Sequence, residues 1–344
     1  MHFCIFSDGR FIQKNIMTIG SNISVIIPSN HGHNDLLKII DAVCCQTVKP
    51  FEIVIVDSSV GRGACPTEVI ALCANSCIYL VYESRALAFP GQARNIGVGI
   101  SQSEIVAFID VQTIPRPNWL KTSLESISKN SLGVYGSTSF YAETWFESLV
   151  RDAFFGVFPR KTLPGSVFKR EVFTKAGCFI DWVRAGEDTE WMLRLELMKI
   201  PMVFLNVALV DYVGLIGMRL NSILRKWYRN YSASHELPHL FPQKFFLWMA
   251  LYPLIIFIGF NWNYLIANWR IDSPFYIGHV TKLAAVLPPL GYVFTRGILL
   301  PIRRGVSLSG LFPIRFIAIL AICLMADSVK AFVFTMHKRK LQNF

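Results

Sequence analysis

The stretch EIVAFIDVQTIPRPNWL, Glu104–Leu120, decides the fold class. A run of apolar residues leads directly into Asp110, and a turn rich in proline follows. A short apolar run bounded by turn residues is typical of a fully buried strand. The same pattern occurs three times upstream, in ISVIIPS (Ile23–Ser29), FEIVIVDSS (Phe51–Ser59) and CIYLVY (Cys77–Tyr82).

Segments with helical spacing separate these runs, for example LLKIIDAVCCQ and ARNIGVGIS. Strands that alternate with helices predict an α/β fold with a mainly parallel sheet covered on both faces. Ligands bind to such sheets at the carboxyl ends of the strands. Asp57 and Asp110 both fall at such ends, so we predict that they share one site. Gln112 follows Asp110 by two positions.

The last third of the chain differs from the rest in composition. Overall, 53% of the 344 residues are hydrophobic, and the formal net charge is +11. From Phe241 onward there are 11 Lys and Arg against 2 acids, a charge of +9, in a segment dominated by Phe, Leu, Ile, Trp and Tyr. A basic, apolar segment of this kind favours a membrane with anionic headgroups as the partner and argues against nucleic acid.

Three apolar segments in this region bear on membrane topology. We predict spans at about 245–268 and 277–300, which form a hairpin that leaves most cations on the cytoplasmic side. The third segment, 311–336, has only 14 residues between Arg315 and Lys330. At 1.5 Å per residue that is roughly 21 Å, so the segment is interfacial or spanning, with the hairpin favoured. The expected location is the cytoplasmic membrane, multi-pass, with the globular part in the cytoplasm.

MRLNSILRKWYRNY (Met218–Tyr231) precedes the hairpin. Its apolar and basic residues alternate at helical spacing, which predicts a basic amphipathic helix on the membrane surface. An ordinary surface helix is the alternative.

Three segments in this order resemble family 2 glycosyltransferases of the GT-A fold. They are SVIIPS…FEIVIVDSS, FPGQARNIGVGISQSEIVAFIDVQTIPRPNWL and FKREVFTKAGCFIDWVRAGEDTEWMLRL. The resemblance covers about residues 22–200 and implies a Rossmann-like nucleotide-diphospho-sugar transferase domain. It divides the chain into an extension (1–21), a GT-A domain (22–214), an interface helix with linker (215–242) and a helical membrane region (243–344).

The resemblance also implies roles for the donor-side residues. Asp57 would bind the uracil or ribose of the donor, and Pro28 would shape its pocket. Arg94 and Asn95 open a helix, and a helix N-terminus with a guanidinium suits an anionic nucleotide. Asp110 matches the first acid of the family's metal site.

The family's second metal-site acid is replaced by Gln112. Mg²⁺ or Mn²⁺ prefers hard oxygen ligands, and the Gln carbonyl could supply one without charge. The resemblance therefore implies a divalent cation held by Asp110 and the donor diphosphate, with Gln112 assisting or idle. A ligand elsewhere in the chain, or neutralisation of the diphosphate by Arg or Lys alone, remains open.

On the acceptor side, Asp188 matches the family's catalytic base, and Glu187 would orient it or the acceptor. Acids in the first turn of a helix also complement its dipole, so the pair alone would be weak evidence. Arg184 could hold a phosphate or be a solvated surface charge. Arg225 and Arg229 could contact a diphosphate or lipid, although packing on the membrane surface is favoured.

Together these features imply an inverting glycosyltransferase that moves a sugar from a nucleotide-sugar, UDP-linked by expectation, to a lipid-linked or cell-surface glycan. Two alternatives stay open. One is a polyprenyl-phosphate glycosyltransferase, and the other is a non-catalytic scaffold that binds nucleotide-sugars.

Overall fold

A computed structural model describes residues 3–5, 11–13, 21–30, 33–60, 63–128, 130–234, 236–237, 254, 256–266 and 269–336. Its centre is a nine-stranded sheet, and a separate antiparallel pair of strands precedes it in the chain. The strands are β1 (Phe3–Ile5), β2 (Phe11–Gln13), β3 (Ser21–Ser29), β4 (Pro50–Asp57), β5 (Tyr79–Ser84), β6 (Ile105–Phe108), β7 (Thr113–Pro115), β8 (Gly133–Phe140), β9 (Arg160–Lys169), β10 (Met202–Val203) and β11 (Val210–Tyr212).

The order in the sheet is β5-β4-β3-β6-β9-β8-β11-β7, and β10 pairs with β8. The four strands predicted from the sequence, β3 to β6, are neighbours and parallel. β9 runs antiparallel between β6 and β8, so the sheet is mixed. The predicted α/β class is confirmed, and the carboxyl ends of β4 and β6 lie at one edge, as expected.

The helices cover both faces of this sheet. They are α1 (His33–Cys44), α2 (Thr67–Asn75), α3 (Pro90–Ile100), α4 (Trp119–Ser126), α5 (Trp145–Phe154), α6 (Glu171–Ala176), α7 (Glu187–Leu197) and α8 (Leu220–Ser234). Side chains of β3 alternate between the two layers, as the pleat of a strand requires. Ile23, Val25 and Ile27 pack toward α1 and α2, whereas Ile26 packs toward α3 and α7. This alternation explains the unbroken apolar run in the sequence.

Several elements of this domain were not predicted, among them β9 and α5. β9 contains Pro164 and Gly165, and Gly165 adopts a φ of +84° opposite a register shift in β8. Proline and glycine usually mark loops, so a strand that contains both is difficult to recognise from sequence pattern. α5 begins with a capping box between Thr144 and Glu147, a signal that the sequence does carry.

Beyond α8 the chain is mostly helical. Residues 256–265 are helical. They are followed by α9 (Val280–Val293), a π-helical turn (Phe294–Leu299), α10 (Leu300–Arg303), α11 (Leu308–Leu311) and α12 (Arg315–Met336). α12 packs against α5 and α8 through an apolar cluster that includes Leu149, Val150, Ile223, Ile319 and Ile322.

Ion pairs hold α12 at its first residue and at a position in its second half. Arg315 donates to the Asp152 carboxylate on α5 at 2.7 and 3.0 Å, and that carboxylate is 2% exposed. Asp327 accepts two hydrogen bonds from Arg296, at 2.6 and 2.9 Å, and one from Tyr292. The C-terminal helices are therefore joined to the sheet domain as well as to one another.

These helices correct the predicted topology. Of the described residues, only Arg315–Phe334 in α12 form a helix long and apolar enough to cross a bilayer, with a mean hydropathy of 2.1. The predicted span 245–268 lies largely outside the described residues. The span predicted for 277–300 is helical but divided among α9, the π turn and α10, with Pro288 and Pro289 inside α9.

The helix formed by the third apolar segment is longer than the 14 uninterrupted residues between Arg315 and Lys330 suggested. α12 has 22 residues, and at 1.5 Å per residue it extends over about 33 Å. Lys330, which we took as the end of the segment, lies inside the helix, and the charges of Arg315 and Asp327 each have an opposite charge beside them. The two-span hairpin is thus not supported within the described residues. The third segment, which we considered short for a span, is the one that forms a helix long enough to cross a bilayer.

The Arg315–Asp152 contact predicts a loss of stability on mutation. Arg315→Met is expected to lower the free energy of unfolding by about 1–3 kcal/mol, because the buried Asp152 carboxylate loses two hydrogen bonds from a cation. Chemical denaturation of the detergent-purified protein measures this. Arg303→Met, at an exposed position near α12, is the control. Equal midpoints for the two variants would contradict the prediction.

Candidate active site

Asp57 ends β4 with its side chain fully buried. One carboxylate oxygen accepts from the backbone N–H and hydroxyl of Ser59, at 2.9 and 2.7 Å. The other accepts from the Tyr82 hydroxyl at 2.6 Å. Pro28 lies on the neighbouring strand, one residue before the partner of Asp57. Protein donors hold the carboxylate in place, and its predicted contact with a nucleotide stays a prediction.

Arg94 contacts acidic residues from two distant parts of the chain. It stands in the first turns of α3 with 3% of its side chain exposed. Nη1 donates to the Glu187 carboxylate at 2.5 Å, and Nη2 donates to the Asp110 carboxylate at 3.0 Å. One planar guanidinium thus bridges the end of β6 and the start of α7, which are far apart in sequence.

The charges around Arg94 are strongly coupled. Burial opposes its charged form, but Asp110, Glu187 and Asp188 together raise the pKa of the guanidinium above its ordinary value. Burial raises the pKa of the Glu187 carboxyl, Arg94 lowers it and Asp188 raises it, with a net upward shift. The Asp188 carboxylate thus influences the charges of both Arg94 and Glu187, and its place in one site with Asp110 stays a prediction.

Glycine allows the two helices of the site to approach. A Cβ at Gly91, in the first turn of α3, would collide with the backbone carbonyl of Ile180. Asn95, one turn later, makes a reciprocal pair with the backbone of Phe179, at 2.8 and 2.9 Å. These contacts hold the segment before α7 against α3. Asn95 is thus seen in a positioning contact, and its predicted contact with the donor stays a prediction.

Asp188 differs from its neighbour Glu187 in exposure. Glu187 is 5% exposed and points at Arg94, whereas Asp188 is half-buried. One oxygen of Asp188 accepts from the backbone N–H and hydroxyl of Thr189, at 2.7 and 3.2 Å. An accessible carboxylate beside a buried, neutralised one could accept a proton from a bound hydroxyl group.

The remaining predicted cations lie farther out. Arg184 is exposed in the loop before α7. Arg225 and Arg229 are exposed on α8, and Arg225 lines an open apolar groove against Val329 and Phe332 of α12. The predicted roles of these three residues as phosphate or lipid contacts stay predictions.

Gln112 is engaged by residues that the sequence did not single out. Its side-chain oxygen accepts from the Tyr212 hydroxyl of β11 at 3.2 Å. That hydroxyl accepts in turn from the Lys226 ammonium of α8 at 2.9 Å. Gly214 leaves room for this arrangement, because a Cβ there would collide with both the Tyr212 hydroxyl and the Gln112 oxygen.

The comparison with known families agrees with this geometry. Residues 24–181 match the model of the family described as "Glycosyl transferase family 2". This segment is a family 2 glycosyltransferase domain. Arg94 and Asp110 lie inside the matched segment, and Glu187 and Asp188 follow its end by a few residues.

Curated relatives carry related names. An uncharacterised glycosyltransferase of Rickettsia bellii is 26% identical over 178 residues, covering 49% of this chain and 25% of that protein. The glycosyltransferase GlyA of Streptococcus pneumoniae is 23% identical over 235 residues, covering 61% of this chain and 32% of that protein. The chain thus spans only about a quarter to a third of the length of these relatives.

A solved structure shares the fold. The mannosyltransferase PcManGT from Pyrobaculum calidifontis, in complex with GDP-Man and Mn²⁺, superposes with a TM-score of 0.50 at 15% identity. The alignment covers 92% of this chain and 88% of that one. This likeness shows the fold alone: the sheet domain has the GT-A architecture.

The residues of the family 2 domain do not fit the divalent cation that the resemblance implied. Asp110 is already paired with Arg94, and the Gln112 oxygen is occupied by the Tyr212 hydroxyl. Within the described residues, no three His, Cys, Asp or Glu side chains stand close enough to share an ion. One paired carboxylate and one occupied amide oxygen are a poor set for Mg²⁺ or Mn²⁺, which need several free hard oxygens.

Sequence reasoning missed Tyr82, Tyr212 and Lys226. A tyrosine within an apolar strand was a usable signal for Tyr82, because a buried hydroxyl needs a partner. Lys226 stands between Arg225 and Trp227. We favoured the membrane surface for the cations of that helix and considered only Arg225 and Arg229 as possible diphosphate or lipid contacts. The sequence could not show that one of them turns toward the sheet.

The Tyr82–Asp57 contact predicts a measurable effect. Tyr82→Phe is expected to lower the free energy of unfolding by about 1–3 kcal/mol, because a buried carboxylate loses a donor. It is also expected to weaken nucleotide binding if Asp57 contacts the donor. Thermal unfolding with and without UDP measures both effects. Tyr141→Phe, at an exposed position, is the control; an unchanged unfolding midpoint in Tyr82→Phe would contradict the prediction.

Proposed function

We propose that the protein is an inverting glycosyltransferase that moves a sugar from a nucleotide-sugar to a lipid-linked or cell-surface glycan at the cytoplasmic face of a membrane. The observation that carries the proposal is the cluster around Arg94. It brings a buried Glu187, a paired Asp110 and an accessible Asp188 to the carboxyl edge of the sheet. Nucleotide ligands of α/β sheets bind at this edge.

The chemistry assigned to Asp188 is that of a general base. An acceptor hydroxyl is a weak nucleophile until its proton is accepted in the transition state. Asp188 takes this proton as the acceptor oxygen bonds to the anomeric carbon. The bond from that carbon to the nucleoside diphosphate breaks on the opposite face, and the diphosphate leaves with the bonding electrons. One displacement of this kind inverts the configuration of the sugar.

Glu187 and Arg94 act through Asp188 in this scheme. The ion pair between them is almost fully buried and joins α3 to the first turn of α7. It therefore fixes the start of α7, where Asp188 stands, relative to the donor edge. Positioning of this kind matters because a displacement of about 1 Å can cost two orders of magnitude in rate.

The membrane part of the proposal rests on α12 and its surroundings. Exposed apolar side chains on and before this helix include Phe312, Ile314, Ile317, Leu324 and Phe332. The C-terminal third carries a charge of +9, which suits an anionic membrane surface. We include in the proposal the division into an N-terminal extension (1–21), a catalytic domain (22–214), an interface segment (215–242) and a membrane region (243–344).

A second candidate is transfer to polyprenyl phosphate itself. Arg225 favours it, since this exposed cation borders the apolar groove between α8 and α12. A phosphate head beside Arg225 and a chain in the groove would use both features. A non-catalytic scaffold remains the third candidate, although a binding module needs no accessible carboxylate at the position of Asp188.

A transfer assay separates the three candidates. The detergent-purified protein is incubated with radiolabelled UDP- and GDP-sugars and with either extracted lipid-linked glycans or bare polyprenyl phosphate. Label that enters only the lipid-linked glycans supports the main proposal, whereas label on bare polyprenyl phosphate supports the second. Binding without transfer to either supports the scaffold. If no nucleotide-sugar binds, all three are wrong.

A further inference from the structure

The Lys226 side chain is a half-buried cation on α8. It lies on the inner side of α8, where it donates to the Tyr212 hydroxyl and stands 5.5 Å from the centroid of the Tyr212 ring. Within the residues that the structure describes, no carboxylate forms a salt bridge with it. A cation withdrawn from water without a counter-charge carries a free-energy penalty, which a bound anion would remove.

The hydrogen bonds fix the orientation of the Gln112 amide. Lysine can only donate, so the Tyr212 hydroxyl accepts from Lys226. The hydroxyl hydrogen then points to an acceptor, and the Gln112 atom that receives it is the oxygen. The Gln112 NH₂ group, a donor of two hydrogen bonds, is therefore the part of the amide left for a ligand.

The site thus offers donors where a metal site would offer acceptors. At the place of the family's second acid, the chain presents the amide NH₂ group of Gln112 and, linked to the same amide through the Tyr212 hydroxyl, the ammonium group of Lys226. The first acid, Asp110, is paired with Arg94, whose charge it shares with Glu187. The groups that face a ligand from this side are suited to an anion such as phosphate, and unsuited to a divalent cation.

We propose that Lys226 and the Gln112 amide hold the diphosphate of the donor directly, so that the binding of the nucleoside diphosphate does not require a divalent cation. This inference rests on the proposed function, because it takes the ligand to be a nucleotide-sugar at the carboxyl edge of the sheet. Tyr212 acts as the positioning residue that holds both groups. Gly214 is needed because any side chain there would displace them.

The first test uses the unaltered protein. Binding of UDP and GDP to the full-length chain in detergent is measured by calorimetry, once in EDTA and once in Mn²⁺. The affinity for the preferred nucleotide is expected to agree within about threefold between the two conditions, since a contact to a fixed cation needs no metal. Binding in Mn²⁺ that disappears in EDTA would overturn this inference and leave the proposed function standing. Absence of binding in both conditions would overturn both.

Variants then test the named residues. In EDTA, Lys226→Met is expected to weaken binding about tenfold or more, because a charge-assisted contact is lost. Gln112→Asp places a carboxylate against the diphosphate, so its binding is expected to fall about tenfold in EDTA and to recover in Mn²⁺. Lys121→Met, at an exposed position on α4, is the matched control and should bind as the parent does.

A purely structural role for this cluster gives a different result. Lys226 and Tyr212 would then only tie α8 to the sheet, and Lys226→Met would lower the unfolding midpoint without changing nucleotide affinity in EDTA. That outcome overturns the inference. Gly214→Ala keeps the polar groups of Gln112, Tyr212 and Lys226 but displaces them. This variant should bind the nucleotide more weakly in EDTA, and Mn²⁺ should not restore its affinity. The comparison of EDTA with Mn²⁺ in the parent protein does not depend on whether any variant folds.

Discussion

Asp188→Asn is expected to reduce turnover about 10²–10⁴-fold and to leave the affinity for the nucleotide unchanged. The substitution keeps the size of the side chain and its hydrogen bonds to Thr189, but it removes the group that accepts the proton. Initial rates of sugar transfer and calorimetric binding of the nucleoside diphosphate measure the two effects separately. Loss of rate with intact binding is the signature of a group that acts in the transition state.

The control for this variant comes from the same loop. Asp181 is exposed six residues before Glu187, and Asp181→Asn changes the net charge of the region by the same amount. Its turnover should stay within about twofold of the parent, because exposed charges this far from the reaction are well screened. If Asp188→Asn retains the parent's rate, Asp188 is not the base and the mechanism proposed here is wrong.

Arg94→Met is expected to have the second large effect, and on stability as well as rate. Glu187 is 5% exposed, so removal of its partner leaves a buried carboxylate without compensation. Breaking a buried pair in this way costs about 3–5 kcal/mol. Turnover should fall together with stability, because the start of α7 loses its connection to α3. Chemical denaturation and transfer rates measure the two losses.

Two further variants separate charge from geometry. Arg94→Lys keeps the charge, yet a single ammonium cannot bridge the Glu187 and Asp110 carboxylates as the planar guanidinium does, so it should recover only part of the stability. Adding Glu187→Gln to Arg94→Met should restore about 1–3 kcal/mol, because the unpaired buried charge is removed. Arg270→Met, at a solvent-exposed pair with Asp272, is the control. Additive losses in the double variant would show that the two side chains are not coupled.

Much of the donor edge could be predicted from sequence alone. Buried parallel strands produce unbroken apolar runs, and the polar residue that ends such a run stands at the edge where ligands bind. Asp57 and Asp110 were found by this rule, and Asp188 by its place in the Glu-Asp motif. These predictions depend only on patterns within short segments, and a single sequence is enough to recognise them.

The connections among these residues could not be predicted in the same way. The Arg94 bridge depends on how close α3 comes to α7, and the engagement of Gln112 depends on where α8 crosses the sheet edge. Both are set by packing between elements about 90 to 110 residues apart, which no local pattern records. The same reason explains the error on α12, which we bounded at Arg315 and Lys330. The partners that compensate its charges, Asp152 for Arg315 and Arg296 for Asp327, are distant in sequence.

The packing of α12 on α5 has a practical consequence for separating the parts of this protein. Leu149, Val150 and Ala153 of α5 are buried beneath the C-terminal helix, and the nearby Asp152 carboxylate accepts hydrogen bonds from Arg315 as well as from Arg151. A chain cut after residue 214 would expose this apolar strip and leave Arg151 as the only one of these two partners of Asp152. Such a fragment should self-associate rather than remain monomeric, so expression of the catalytic half on its own calls for polar replacements on that strip of α5.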